Sequence, residues 1–446
     1  MQDYRLIADE VAAAVAGGRL RPGDRLPPQR RFARQHGIAD STAARVYGEL
    51  IRRGLAVGEV GRGTFIRAAP PRTEPLLSEP ATARIDLELN FPMLPDQPEL
   101  LAKSLAGLLR TDALGAALRP VGAEGTPAAR EAAAELLRTS AWAPEPATIL
   151  CAGSGRQALA AAIATLVPAG QRLGVEELTY PVVKSIASRL GVELIPLPVD
   201  ESGVLPSAVR SARRSGGLGA IYLQPTLHNP LGITMPAARR SELAELVQRL
   251  DLVAIEDNVN GFLAADAVPP LAAAAPDHTI FVDSLSKRIA PGLTLGFLVA
   301  PARLTARLGA ALRSGAWSAG RFALDAAVRW IGDGTADTIQ DRKRADARAR
   351  QHLVGERLQG FAVQADVRSY HCWWSLPEPW RADTFVAAAA RHGIAVSPAA
   401  AFAVTPGRAP NAVRLALASP PYDQLAGALD TLAQIARGLP EDVGVE

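Results

Sequence analysis

From residue 3 to 16 apolar and polar positions recur with helical spacing, predicting an amphipathic helix that ends at the turn Arg21-Pro22-Gly23-Asp24. Leu26-Pro27-Pro28 opens a second helix, Gln29 to His36, broken at Gly37. Asp40, Ser41 or Thr42 is placed to cap a third helix running to about Arg53, and Gly54 stops it. Val57 to Ile66, punctuated by Gly58, Gly61 and Gly63, reads as a small hairpin. Prolines 70, 71, 75 and 80 then interrupt any periodicity, so residues 1–68 form one domain and 69–84 a semi-extended linker. From 85 to 438 short apolar runs alternate with helical stretches: Thr148 to Cys151, Arg172 to Val175, Glu193 to Pro196, Ala220 to Gln224, Leu252 to Glu256, Thr279 to Asp283 and Gly296 to Ala300. Strands spaced by helices in this way predict a mostly parallel sheet covered on both faces. Residues 439–446 are left as a C-terminal tail.

Two short helices joined by a glycine-containing turn read either as a helix-turn-helix, whose second helix fits the DNA major groove, or as part of a three-helix interaction module with solvated arginines. Charge supports the first reading. Residues 1–68 hold 12 arginines and no lysine against 7 acids, whereas the remainder holds 36 basic residues against 38 acidic. Positive charge gathered at the front is the polarity of an attached nucleic-acid-binding module. Length and a hydrophobic content of 48% fit a multidomain globular protein. Cys151 and Cys372 show no pairing pattern and the six histidines no metal-ligand spacing, so a reducing, cytoplasmic setting without metal is expected. No apolar run reaches membrane-spanning length, and the N-terminus lacks a secretory pattern.

Ligands of parallel sheets bind beyond the strand carboxyl ends, and here those turns carry the polar residues. Ala152-Gly153-Ser154-Gly155-Arg156-Gln157 follows a strand and opens a helix, where the backbone amides can hold an anion or the small residues can simply serve packing. Tyr180-Pro181 ends another strand, Pro225 to Gly232 is a polar turn containing Asn229, and Asp257 sits just past a strand. A buried acid is costly without a cation or donor, so Asp257 calls for a partner such as a protonated ring nitrogen. Only four of the 48 basic residues are lysines: Lys103, Lys184, Lys287 and Lys343. Three lie in helical stretches and are expected on solvated faces. Lys287 instead follows a strand in the turn Ser284-Leu285-Ser286-Lys287-Arg288, and an amine, unlike a guanidinium, condenses with an aldehyde.

Residues 25–66, RLPPQRRFARQHGIADSTAARVYGELIRRGLAVGEVGRGTFI, closely resemble the winged helix-turn-helix of GntR-family regulators. The ordered elements of 85–438 resemble the fold type I, aspartate aminotransferase-like fold of pyridoxal phosphate (PLP) enzymes. Together they resemble the MocR-type regulators. The resemblance implies an α-rich head joined to an α/β transferase domain, a homodimer, operator DNA as partner and an amino acid, amine or vitamer as effector. It implies Arg30, Arg31, Thr42, Arg45 and Arg62 at DNA, mainly at phosphate. It makes Lys287 the lysine bonded to pyridoxal 5'-phosphate, Asp257 the partner of the ring nitrogen, Asn229 the donor to the ring oxygen and Tyr180 the stacked aromatic. Ser154, Gly155, Arg156 and Ser284 match phosphate-binding positions, and Arg414 matches the arginine that grips a carboxylate.

Three positions depart from that pattern. Asn260 stands where the family often has tyrosine, Thr294 where it has a phosphate-binding arginine, and the region of Pro120 where it has another tyrosine. Arg156, Arg288 and Arg119 are the candidates for the missing charge, Arg156 foremost. The leading reading is a ligand-sensing transcription regulator; an active aminotransferase with an accessory DNA-binding head and a cofactor-free regulator are the alternatives.

Overall fold

The computed structural model describes residues 4–17, 19–20, 24–53, 55–59, 63–66, 83–264, 268–405 and 407–440. The head consists of helices α1 (Tyr4–Ala16), α2 (Gln29–His36) and α3 (Asp40–Arg52) and the antiparallel strands β1 (Ala56–Glu59) and β2 (Gly63–Ile66). Gly37 ends α2 with φ 63°, a left-handed conformation that costs glycine little. Ala39, not one of the three polar residues after it, occupies the cap of α3, and no side chain bonds that end. Asp40 instead enters the first turn, where a carboxylate suits the helix dipole. Ile7, Val11, Leu26, Phe32, Val46 and Leu50 close the core of this unit, and the Tyr47 hydroxyl donates to the Pro27 carbonyl. Gly54, Arg62 and linker positions 69–82 lie outside the described residues.

All seven predicted strands form one sheet: β4 (Ile149–Ala152), β5 (Arg172–Glu176), β6 (Glu193–Leu197), β9 (Leu218–Leu223), β10 (Val253–Asp257), β11 (Thr279–Ser284) and β12 (Gly296–Val299). A two-residue ribbon, β7 (Val199–Asp200) with β8 (Gly203–Val204), follows β6. The order is β4-β12-β11-β10-β9-β5-β6, parallel except that β12 runs against both neighbours. Strand side chains alternate faces, and here both faces are covered. Ala220, Tyr222, Ile255, Ile280 and Val282 enter one apolar cluster, while Ile221, Leu223 and Ala254 enter another. A smaller sheet, ordered β13 (Ala362–Ala365), β14 (His371–Ser375), β16 (Ala412–Ala416), β15 (Ile394–Pro398), β3 (Ile85–Leu87), packs over its own core.

The lysines correct one expectation. Lys103 is exposed, but Lys184 is half-buried and Lys343 is 0% exposed. Lys343 belongs to the helix Thr335–Arg357, whose buried stripe includes Gln340, Lys343, Arg350 and Gln351 beside Ile339 and Ala347. Polar residues at core spacing disguise the buried face, so periodicity of apolar residues alone misses it. Its amine donates to the carbonyls of Lys287 and Ile289, the first at 3.0 Å, and so secures the turn after β11. Both cysteines are buried and free, and no described helix is long and apolar enough to cross a membrane.

Gly296 stands in register between Ala152 and Ser284 and joins the two turns that carry the polar residues. A β-carbon there would lie 2.3 Å from the Ser154 carbonyl oxygen. Gly296→Ala is therefore expected to destabilise the large domain by about 1–3 kcal/mol, seen as a lower midpoint of urea unfolding. An unaltered midpoint would show that the strands part without cost.

Candidate functional site

At the carboxyl edge of the large sheet two cavities meet. The inner one, about 320 Å³, is walled by Ser154, Gly155, Asp257, Ser284, Ser286 and Thr294. The outer one, about 350 Å³, is walled by Glu88, Asn90, Lys184, Asn229, Asn260 and Arg414 among others. Phe91, Arg156, Tyr180, Val259 and Lys287 line both. The structure thus brings together most of the site residues singled out in the sequence.

Lys287 occupies the one-turn helix Leu285–Arg288. Its amine donates to the Asn90 carbonyl and lies 5.2 Å from the centre of the Phe91 ring. Burial in the cleft, then Arg156 and Arg414, push it down to about 7, with Asp257 opposing. Much of the amine is therefore neutral, and nucleophilic, near neutral pH.

Asp257 ends β10 and is 2% exposed. Its carboxylate accepts from the Tyr222 hydroxyl at 2.7 Å, the Gln224 side-chain amide at 3.1 Å and the Val259 amide at 3.3 Å. Burial pushes it up to about 6, and these three donors act against that rise. Gln224 is itself held: its backbone amide donates to buried Glu176, and its side-chain oxygen accepts from the Asn229 amide. The Asn229 side-chain oxygen is buried with no partner among the described residues, and Asn260 donates to the Leu227 carbonyl.

The inner cavity ends in hydroxyls. Ser154 caps the helix Gly155–Leu166, accepting from the Gln157 amide at 3.2 Å. The first amides of such a helix have no acceptor within it and favour an anion. Ser286 and Thr294 hydrogen-bond to each other. Arg156 stands beside the Tyr180 hydroxyl, which burial raises and Arg156 counteracts. On the far wall Arg414, from β16, donates to the Glu88 carbonyl and, at 3.0 Å, to the Ser397 hydroxyl.

Two arginines do not reach the cleft. Arg288 is committed to Asp283 at 2.6 Å and to Gln340, and it lines a separate cavity with Arg240 and Phe262. Neighbours on a helical turn point about 100° apart, so with Lys287 facing the cleft Arg288 faces away. Arg119 and Pro120 are exposed and line neither cavity. Conversely, Tyr222, Gln224, Glu88, Asn90 and Lys343 were not anticipated. The signal for Tyr222 was its place on β9, but the partner that gives it meaning lies 35 residues away.

In the head, Arg30, Arg31 and Arg45 are exposed and Thr42 half-exposed along α2 and α3, the two helices that a helix-turn-helix presents.

The pyridoxal phosphate site implied by such a fold fits the residues present. There is an amine, an acid aimed from the sheet edge, an unpartnered asparagine oxygen beside them, and hydroxyls with an arginine at a helix start.

Comparison with known proteins agrees with this geometry. The aminotransferase class I and II family matches residues 98–432, and the gntR family of bacterial regulatory proteins matches residues 3–66. The uncharacterized HTH-type transcriptional regulator YdeF of Bacillus subtilis is 27% identical over 98% of this chain and 92% of its own. The HTH-type pyridoxine biosynthesis transcriptional regulator PdxR of Corynebacterium glutamicum is 29% identical over 79% of this chain and 78% of its own. An archaeal alanine:glyoxylate aminotransferase has the same fold, with TM-score 0.73 and 21% identity over 80% of this chain and 91% of that one. The chain belongs to the class I and II aminotransferase family, and its residues 3–66 carry a gntR-type helix-turn-helix.

Proposed function

We propose that this protein is a transcription regulator whose aminotransferase-like domain holds pyridoxal phosphate at Lys287 and senses a primary amine or amino acid. The observation that carries the reading is the coexistence, in one chain, of an exposed arginine-bearing helix pair and a cleft in which a lysine amine faces a buried acid. Similarity to relatives named as regulators supports it. When bound, pyridoxal phosphate supplies an aldehyde for amine capture and an electron-accepting ring.

The chain's own groups have separable tasks. Asp257, kept in place by Tyr222 and Gln224, offers a carboxylate to a protonated ring nitrogen. Asn229 and Tyr180 line the same cleft and would help hold the ring, Asn229 through its side-chain amide and Tyr180 through its aromatic face. Ser154, Ser284, Ser286, Thr294 and the start of the helix Gly155–Leu166 offer donors to a phosphate, and Arg156 supplies its positive charge in place of an arginine at 294. Arg414 offers a guanidinium to a ligand carboxylate. Leu109, Leu114 and Leu118, exposed at 71%, 41% and 81% within one segment, support pairing of two chains through the large domain.

Adding pyridoxal phosphate to the purified chain is expected to give a visible absorbance band and a borohydride-trapped adduct on Lys287. Lys287→Ala should show neither, and an unchanged band in that variant would reject the assignment. The trapping rate should climb as pH rises through about 7, because the neutral amine is the form that attacks and Lys287 is held near that value. Asp257→Asn removes the anion that favours the proton on Lys287, so the midpoint should fall; a midpoint that stays or rises would contradict the electrostatics. In fluorescence anisotropy with operator DNA, Arg45→Ala should weaken binding and reduce the log-log salt slope by about one. An unaffected slope would take Arg45 off the phosphates.

A further inference from the structure

Glu88 is an acid of the outer cavity without a task in the scheme above. Its backbone carbonyl accepts from Arg414, yet among the described residues no donor meets its carboxylate. Burial, then the nearby Asp86, push this carboxyl up, and Arg414 opposes them more weakly. An acid partly withdrawn from water with no donor is costly, so the position favours an incoming cation. Among the described residues Arg414 acts on that carboxylate through charge, without a hydrogen bond to it. Lys184, on the same wall, gives its amine to the carbonyls of Ala401 at 2.9 Å and Ala403 at 2.8 Å. Arg414 also retains an unmet need: the side chain is 6% exposed, and its Nε is buried without a partner. Among the described residues the outer cavity therefore offers a carboxylate and a guanidinium nitrogen whose hydrogen-bonding capacity is unfilled.

Glu88 is also distinct from the machinery around the reacting amine. The charges that act on Lys287 are Arg156, Arg414 and Asp257. A ligand's reacting amine approaches Lys287, so a cation held by Glu88 is a second one.

We propose that the outer cavity selects an amino acid bearing a second amine on its side chain, with its carboxylate at Arg414 and its side-chain ammonium at Glu88. This deepens, and rests on, the reading that the Lys287 cleft captures an amine. A cavity of about 350 Å³ accommodates a molecule of that size. Neutral amino acids lack the group that answers Glu88, dicarboxylic ones bring a like charge to it, and simple diamines leave Arg414 unanswered.

Calorimetric titration of the full chain loaded with pyridoxal phosphate tests this, using L-ornithine, L-norvaline of equal carbon count, and putrescine. Ornithine is expected to bind about tenfold or more tightly than either comparator, and Glu88→Gln should erase its advantage over norvaline. Norvaline or putrescine binding as tightly as ornithine to the wild-type chain would overturn the proposal, as would an ornithine advantage that survives Glu88→Gln. The wild-type comparison decides without relying on the variant's folding. Loss of the Lys287 adduct is a separate failure, that of the underlying reading; ornithine and norvaline are then compared on the chain as purified, and their difference still decides the role of Glu88.

Discussion

A lysine amine drawn out of bulk water and pointed at a buried acid is the constraint around which the large domain is arranged. Removing an ammonium from water is unfavourable, so the amine sheds its proton more easily. The protein holds the turn so that the side chain cannot swing back toward solvent. Asp283 and Arg288 tie the turn from below, and Lys343 fixes two of its carbonyls from the side. The Asn90 carbonyl meets the amine itself. Lys343 and Asn90 reach this turn from 56 and 197 residues away, which is why the site exists only in the folded domain.

The acid opposite is tuned by the same means. Burial pushes Asp257 up to about 6, and three donors act against that rise. The donors are in turn fixed by Glu176 and the turn at Asn229. Such a relay matters for a ring nitrogen, because the carboxylate must remain charged to keep its partner protonated. The head is built on a different principle. Its small apolar core leaves Arg30, Arg31 and Arg45 on the surface, where they present charge rather than a shaped pocket.

Much of this was visible in the chain before folding. Continuous apolar runs gave the seven strands with boundaries displaced by a residue or two, because a sheet covered on both faces writes itself as unbroken hydrophobicity. Strand ends and turns concentrate polar groups, which marks Lys287 and Asp257, whereas Asn229 and Tyr180 stand out only through the family resemblance. Arg288 could not be placed, since adjacency to Lys287 says nothing of which side of a helical turn a residue takes. Lys343 was misjudged because a buried polar stripe resembles a solvated one until its carbonyl partners, 54 and 56 residues away, are in view. Glu88 gives no local sign and Tyr222 only its place on β9, as each acquires its meaning from a side chain on a distant strand.

The helix Thr335–Arg357 has a mechanical consequence. Lys343 grips the Lys287 turn, and Arg350, on the same stripe seven residues later, grips the carbonyls of Leu417 and Pro420 beyond β16. Seven residues are about two turns, or roughly 10 Å of axial length, so one stiff rod is bolted to both sheets. Any displacement of the smaller sheet against the larger would therefore load the backbone of Lys287 itself, making the rod a strain gauge between the two sheets.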